Sequence, residues 1–471
     1  MDSYRFRLRQ KNTTVCFHAG FRHAALALVL LQACWVEAVA KVSPDEAARL
    51  KKDLTPVGAE RAANAAGTIP AWEGGLTKEP PCFKGPGARY CDPFPDDRPV
   101  FTITAANVEQ HKARLSAGQV AMLRKFPQTY RLNVYPTRRT AAYPEFYYEA
   151  TYKNALAASL GGNGEALNDA VTGVPFPIPK TGHEPIWNHK TRYRGKSIQR
   201  WNNQFAVTAS GNYSQVKIRE DVLFSYSKQN ATPESLGNVS AYFFQIVTAP
   251  ARLAGTITLV HETIDQIKEP RRAWQYNPGQ RRLRRAPNVG YDNPGTAADG
   301  LRTNDQSDTF NGATDRYSWK LVGKKEMYVP YNSYVLHDGK YKYADIIKKG
   351  HINQDLARYE LHRVWVVESV TKPGTTHIYK RRTFHLDEDS WGILLVDIYD
   401  RRDQLWRWQE AHTVVAYDKP FLGPPVGETI YDLQANRYLA QSFNNEDDEN
   451  VERDFSPSYF EPTAVSKQAL R

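Results

Sequence analysis

The stretch "RVWVVESVTKPGTTHIYKRRTFHLDEDSWGILLVDIYDRRDQLWRWQEAHTVV", residues 363–415, contains the pattern that decides the fold. Runs of β-branched and aromatic residues alternate in it with short segments rich in Gly, Pro, Asp and Ser, which is typical of strands joined by turns. These connections are too short for the crossover that parallel strands need. The sequence therefore predicts an antiparallel meander of four strands, at residues 363–370, 376–386, 391–399 and 405–416.

The same alternation of strands and turns extends back to residue 195. The chain has 27 Tyr, 19 Phe and 10 Trp, a composition that suits sheets with wide apolar faces. We therefore predict an α+β chain that is mostly β, with its antiparallel sheet in residues 195–435. The further strands are predicted at residues 198–209, 213–227, 240–248, 254–264, 272–276, 281–286, 316–322 and 326–330.

The segment before the sheet has a different character. Ser43 with Glu46, and Ser116 with Gln119, form capping boxes that predict the starts of two helices. Proline and glycine are too dense between residues 68 and 99 for regular structure. We expect residues 41–194 to form a helical and irregular N-terminal wrap over the sheet, and residues 436–471 to form an acidic, partly disordered tail.

The first forty residues resemble a secretory signal. Five basic residues precede the apolar run "AALALVLLQACWV", and Ala38 and Ala40 have the A-x-A spacing that a signal peptidase accepts. We predict residues 1–40 to be a signal peptide that is cleaved after Ala40, so the protein is expected in the periplasm. Lipidation at Cys34 is the alternative. It is disfavoured because glutamine, at position 32, does not suit that position of a lipoprotein signal.

Two cysteines remain after residue 40, Cys82 and Cys91, on either side of a loop rich in Gly and Pro. In an oxidising compartment such a pair is expected to close as a disulfide. Two unpaired buried thiols are the alternative. A metal site is disfavoured because no His lies at zinc-like spacing from either cysteine.

The segment "PRRAWQYNPGQRRLRRAP", residues 270–287, has six arginines and a formal resemblance to a nucleic-acid clamp. Pro278 and Gly279 suit the centre of a turn, so the segment predicts a β-hairpin. Alternation along a strand then puts Arg282 and Arg284 on one face and Arg285 on the other, which breaks up the basic stripe. We expect these arginines to cover a sheet surface or bind an anionic group, and we expect no nucleic-acid partner.

Motifs that carry catalysis are absent from the sequence. "HEPIW" at His183 and "HETID" at His261 lack the second histidine of a metal-binding helix, and no G-x-S-x-G sequence occurs. "HLDEDSWG" from His385 lacks the acidic twelfth residue of a calcium loop. We therefore expect no enzyme activity, no cofactor and no metal, although scattered histidines leave open a site assembled in space.

Aromatic residues on the strands are the candidate ligand contacts. A wide sheet with large apolar side chains on one face must cover that face or leave a cavity, and such a cavity binds hydrophobic molecules. Packing in a solid core is the alternative for each residue. The predicted ligand-binding residues are Trp274, Tyr276, Trp319, Tyr328, Trp365, Arg282 and Arg284.

Several segments together resemble a known family. They include residues 42–75, 186–195, 270–306, 319–334 and 359–391, and the similarity covers nearly all of the chain after residue 40. The chain is similar to the exported proteobacterial family called domain of unknown function 1329. That family is similar to the LolA/LolB superfamily, periplasmic carriers in which a curved antiparallel sheet, closed by helices, holds lipid chains in a hydrophobic cavity.

The resemblance implies a half-barrel sheet and a periplasmic carrier that binds a lipid or another hydrophobic molecule. An inner-membrane exporter or an outer-membrane component is the implied partner. The resemblance supplies no binding residues, and the N-terminal wrap and residues 290–315 either fill or reshape the cavity. Two alternatives stay open: an adaptor that docks an envelope transporter, and a hydrolase acting on a hydrophobic ester or an envelope glycan.

Overall fold

The structure, a computed structural model, describes residues 42–286 and 289–469. The predicted signal peptide, with Ala40 and Cys34, lies outside these residues. The described chain is mostly β, as predicted. Its strands are β1 (Phe101–Ile103), β2 (Leu132–Val134), β3 (Ser159–Gly161), β4 (Ala166–Asn168), β5 (Ser197–Val207), β6 (Tyr213–Phe224), β7 (Val239–Ala249), β8 (Ile257–Thr263), β9 (Arg272–Asn277), β10 (Arg282–Arg285), β11 (Tyr317–Pro330), β12 (Tyr359–Thr371), β13 (Arg381–Asp387), β14 (Ile393–Tyr399), β15 (Leu405–His412), β16 (Val415–Ala416), β17 (Phe421–Leu422), β18 (Gly427–Asp432) and β19 (Arg437–Phe443).

The helices are short. Ser43 and Ser116 cap two of them through the predicted capping boxes, which are both complete. The helices are α1 (Pro44–Ala48), α2 (Val108–His111), α3 (Ala117–Lys125), α4 (Glu145–Ala157), α5 (His183–Thr191), α6 (Pro233–Leu236), α7 (Tyr334–His337), α8 (Tyr343–Ile346) and α9 (Pro462–Ala469).

One sheet of 15 strands organises the described residues, and it does not close on itself. The predicted meander is present as β12 to β15, each strand antiparallel to the next. The sheet is mixed rather than purely antiparallel, because Tyr359 of β12 pairs in parallel with Val134 of β2. Its strand order is β1-β2-β12-β13-β14-β15-β18-β19-β5-β6-β7-β8-β9-β10, and β11 pairs with β12.

Two sequence predictions need correction. The segments 316–322 and 326–330 form one strand, β11, because a bulge between Leu321 and Gly323 absorbs the irregularity that suggested a break. The segment after residue 436 is not a tail throughout. It begins with β19, which lies inside the main sheet between β18 and β5.

Separate segments cover the two faces of the sheet. Trp408 of β15 faces the N-terminal wrap, where Gly118 of α3 packs so closely that an added Cβ would lie 2.0 Å from the indole. On β18, Tyr431 stacks on Trp408, so the neighbouring Ile430 faces the other side. There Ile430 packs against Leu301, in the segment 289–311 that covers this second face.

The N-terminal wrap is attached to the rest of the fold and contains a disulfide. Cys82 and Cys91 form the predicted disulfide. The wrap also adds strands β1 and β2 to the main sheet. Within residues 42–286 and 289–469, no helix has the length and apolar character needed to cross a membrane.

Candidate ligand-binding cavity

A cavity of about 140 Å³ lies on the second face of the sheet. Strands β5 to β8 form its floor. Helix α5 and the residues that follow it, 192–194, form one wall, and residues 289–311 cover the cavity. We call it the main cavity. The lining side chains project from one face of the four strands because side chains alternate along a strand.

The floor contains an apolar row that crosses the strands. Ile198 pairs with Val222, Val222 with Phe243, and Phe243 with Val260, so these four residues stand side by side on β5, β6, β7 and β8. All four line the main cavity. Burial of an apolar ligand against this row is favourable, at roughly 25 cal/mol per Å² of apolar surface.

A polar row runs beside the apolar one. It lies two residues further along each strand and contains Arg200, Glu220, Gln245 and Thr258, which are also cross-strand partners. Arg200 Nε lies 2.6 Å from the Glu220 carboxylate. The main cavity is therefore amphipathic, with apolar and polar residues in adjacent rows of one floor.

Most charges in the lining are paired. Arg271 lies 2.7 Å from Glu262, and Arg194 lies 2.5 Å from Asp308. Lys190 of α5 donates to the carbonyl of Gly312 at 3.1 Å. Burial lowers the pKa of Lys190 to about 8, which leaves this amine easier to deprotonate than an exposed lysine.

Glu428 is a buried carboxyl in the lining, 1% exposed. Gln409 Nε2 donates to it at 2.5 Å. Burial, followed by the negative charge of Asp308, raises the pKa of Glu428 to about 7, while Arg302 and Arg200 oppose the rise. Near neutral pH this carboxyl is therefore partly protonated.

We expect Glu428→Gln to stabilise the protein at alkaline pH. A carboxyl pKa that is raised on folding supplies stability below its unfolded pKa, and that stability is lost as pH rises through about 7. The variant should unfold with a free energy higher than wild type by about 2–3 kcal/mol at pH 8.5, and equal to it near pH 4. Urea unfolding at both pH values measures the difference, and an equal difference at the two would contradict the assignment.

A second, open cavity of about 570 Å³ adjoins the first. It lies beside the hairpin of β9 and β10, and we call it the arginine groove. The two cavities share Val289, Thr296 and Asn304 in their linings. Arg282 and Arg284 line the groove, and both are exposed. The main cavity therefore has a cationic surface next to it.

The comparisons with known proteins identify the family. The family model described as protein of unknown function (DUF1329) matches residues 102–471. The chain belongs to this family. An uncharacterized protein of Pseudomonas aeruginosa is 49% identical to it over 463 residues, which cover 98% of this chain and all of that protein. The family resemblance in the sequence is thereby confirmed.

Three solved structures match this chain at low sequence identity. An outer membrane lipoprotein-sorting protein domain from Vibrio parahaemolyticus is 13% identical with a TM-score of 0.42, and the match covers 60% of this chain and 97% of that one. A DUF1329 protein from Desulfovibrio piger is 13% identical with a TM-score of 0.39, covering 57% and 91%. A LolA superfamily protein from Nitrosomonas europaea is 11% identical with a TM-score of 0.36, covering 60% and 99%.

In this DUF1329 chain the aromatic residues chosen from sequence lie in separate packing clusters. Trp274 contacts His261, at 4.9 Å between ring centroids, and belongs with Tyr276 to a cluster under the C-terminal segment. Trp319, Tyr328 and Trp365 pack in other clusters. Tyr276, Arg282 and Arg284 line the arginine groove, and the main cavity is lined by other residues. A ligand contact by the seven residues stays a prediction.

The cavity residues that sequence reasoning missed are Ile198, Val222, Phe243 and Val260. All four lie on strands that were predicted, and alternation along each strand divides its residues correctly into two faces. Which of the two faces is the cavity floor depends on how distant segments fold over it. That choice has no local signal in the sequence.

One group of described side chains has the composition of a metal site. His362, Asp387 and Asp389 are buried and have ligand atoms within 4.8 Å of one another. Arg139, from the wrap, already donates to both oxygens of Asp389, at 2.8 and 2.6 Å. Burial, and then the charge of Asp389, raises the pKa of Asp387 to about 6. Arg139 thus already supplies a positive charge to Asp389, and the two form a buried ion pair between wrap and sheet.

Proposed function

We propose that the protein is a periplasmic carrier that binds a lipid or another hydrophobic molecule in the main cavity and passes it between components of the envelope. The observation that carries this proposal is the apolar row of Ile198, Val222, Phe243 and Val260 on a cavity floor that residues 289–311 cover. Burial against this row supplies affinity without covalent chemistry.

The size of the main cavity limits how much of a ligand it encloses. A dry cavity of about 150 Å³ in another protein binds benzene, so about 140 Å³ accommodates only a few methylene groups. We expect a longer chain to extend toward the arginine groove, which shares three lining residues with the cavity. The proposed ligand is therefore held at one end and lies partly in the groove.

Titration with a fluorescent fatty acid tests this function. We expect saturable binding of one molecule per chain, an increase in fluorescence on transfer out of water, and displacement by unlabelled dodecanoate. Transfer from protein to phospholipid vesicles should then depend on vesicle concentration. A protein that binds neither the fluorescent nor the unlabelled fatty acid contradicts the carrier proposal and favours the adaptor alternative.

A further inference from the structure

Arg302 is a buried cation that lines the main cavity and has no ion-pair partner among the described residues. Arg302 is 7% exposed, and its Nε has no hydrogen-bond acceptor in the described chain. No carboxylate of the described residues forms an ion pair with it within 4.0 Å. Burial lowers the pKa of Arg302, and the negative charges of Glu428 and Glu220 oppose this shift only in part.

The other arginines that line the main cavity all have carboxylate partners. Arg194, Arg200 and Arg271 each have a carboxylate at 2.5 to 2.7 Å. An unpaired buried charge is costly to a folded protein, so each one requires an explanation. Binding of an anionic ligand explains Arg302, because the ligand supplies the missing charge.

The carboxylates nearest to Arg302 are already engaged. Glu428 and Glu220 exert the strongest attraction on its charge. Glu220 accepts a hydrogen bond from Arg200 at 2.6 Å, and Glu428 accepts one from Gln409 at 2.5 Å. Neither carboxylate forms an ion pair with Arg302, so the guanidinium keeps donors for another acceptor.

The segment around Arg302 packs closely on its guanidinium. A Cβ on Gly295 would lie 2.8 Å from Arg302 Cζ, so a larger residue at position 295 would displace the guanidinium. The Gly295 N–H also donates to the Arg302 carbonyl at 2.8 Å. The guanidinium lines the main cavity, and two further lining residues, Thr296 and Asn304, also line the arginine groove.

We propose that Arg302 binds the anionic headgroup of the carried molecule, which is an amphiphile with a carboxylate or a phosphate. This inference rests on the proposed carrier function, since it concerns the same cavity. The planar fork of an arginine donates two parallel hydrogen bonds to either anion. The alkyl chain then contacts the apolar row beside it, and Arg282 and Arg284 attract the anion to the opening.

Calorimetric titration of Arg302→Met tests the assignment with three ligands that share a twelve-carbon chain. They are dodecanoate, dodecyl phosphate and the uncharged monododecanoylglycerol. We expect the variant to bind the two anions at least about tenfold more weakly, because a charge-assisted contact is lost. Binding of the uncharged ligand should change less than about twofold, and thermal unfolding should not occur at a lower temperature, since no ion pair is broken.

Two further variants control the result. Arg302→Lys keeps the charge and should retain part of the affinity for both anions. Arg358→Met removes a buried, paired arginine that lines neither cavity; it should lower thermal stability, because Glu360 loses its cation, and should bind all three ligands like the wild type.

The outcomes separate the two proposals. Equal weakening of all three ligands by Arg302→Met, or unchanged binding with lower stability, overturns the anion site but leaves the carrier function intact. Failure of the wild-type protein to bind any of the three contradicts the carrier function itself. Selective loss of dodecanoate or of dodecyl phosphate supports the site and identifies which anion it takes.

Discussion

Replacing Arg139 by methionine is expected to lower the free energy of unfolding by about 3–5 kcal/mol. Arg139 is buried and donates two hydrogen bonds to Asp389, and it also donates to the carbonyls of Glu60 and Pro70. Methionine has a similar volume but leaves the carboxylate of Asp389 buried without its cation. Since Asp389 lies on the turn after β13, the loss should detach the N-terminal wrap from the sheet. Urea unfolding measures the change.

Arg124→Met is the matched control for this prediction. Arg124 also pairs with a carboxylate, that of Glu109, but both side chains are more than half exposed. An exposed pair contributes at most about 1 kcal/mol. If Arg139→Met costs no more than this control, the buried pair does not hold the wrap on the sheet.

Replacing Val222 by tryptophan is expected to weaken binding of a fluorescent fatty acid at least about a hundredfold. Val222 is central in the apolar row and faces the main cavity. A tryptophan side chain there occupies most of a volume of about 140 Å³ and takes the surface that the ligand needs. The added apolar contacts partly offset any overpacking, so we expect stability to change by less than about 2 kcal/mol.

Val322→Trp controls for the added indole. Val322 is 48% exposed on β11, away from both cavities. This variant should bind the fatty acid like the wild type. Equal affinity of Val222→Trp and Val322→Trp for the fatty acid would show that the ligand binds elsewhere, whereas a loss confined to Val222→Trp places it in the main cavity.

Local patterns predict much of this fold. The meander of β12 to β15 is confirmed. The sequence predicts it because its strands are neighbours in the chain, and short turns between neighbouring strands lead to antiparallel pairing. The pairing of β19 with β5 joins Tyr438 to Val207, more than two hundred residues apart. No local pattern indicates such a pairing, and "RYLAQSF" has no β-branched residue, so the sequence predicts a tail where the structure has β19.

The candidate site was harder to predict for a physical reason. Large aromatic side chains such as Trp365 suggest a ligand site because of their size, but size also makes them effective at filling a core, and Trp365 stacks on Trp391 at 6.2 Å. The main cavity is lined by small side chains such as Val222 and by large ones such as Phe243, so size alone does not distinguish a ligand contact from a core residue. Arg302 lies in a loop without a motif, and its importance comes only from the absence of an ion-pair partner in the part of the chain that the structure describes.

Native mass spectrometry of the protein, expressed from its full-length gene and purified from the periplasm without detergent, tests the carrier account most directly. We predict a population with added mass, from which organic extraction releases an anionic amphiphile. The same preparation of Val222→Trp should carry none. A wild-type protein that is free of bound molecules, and that takes up no amphiphile when one is supplied, would contradict the account.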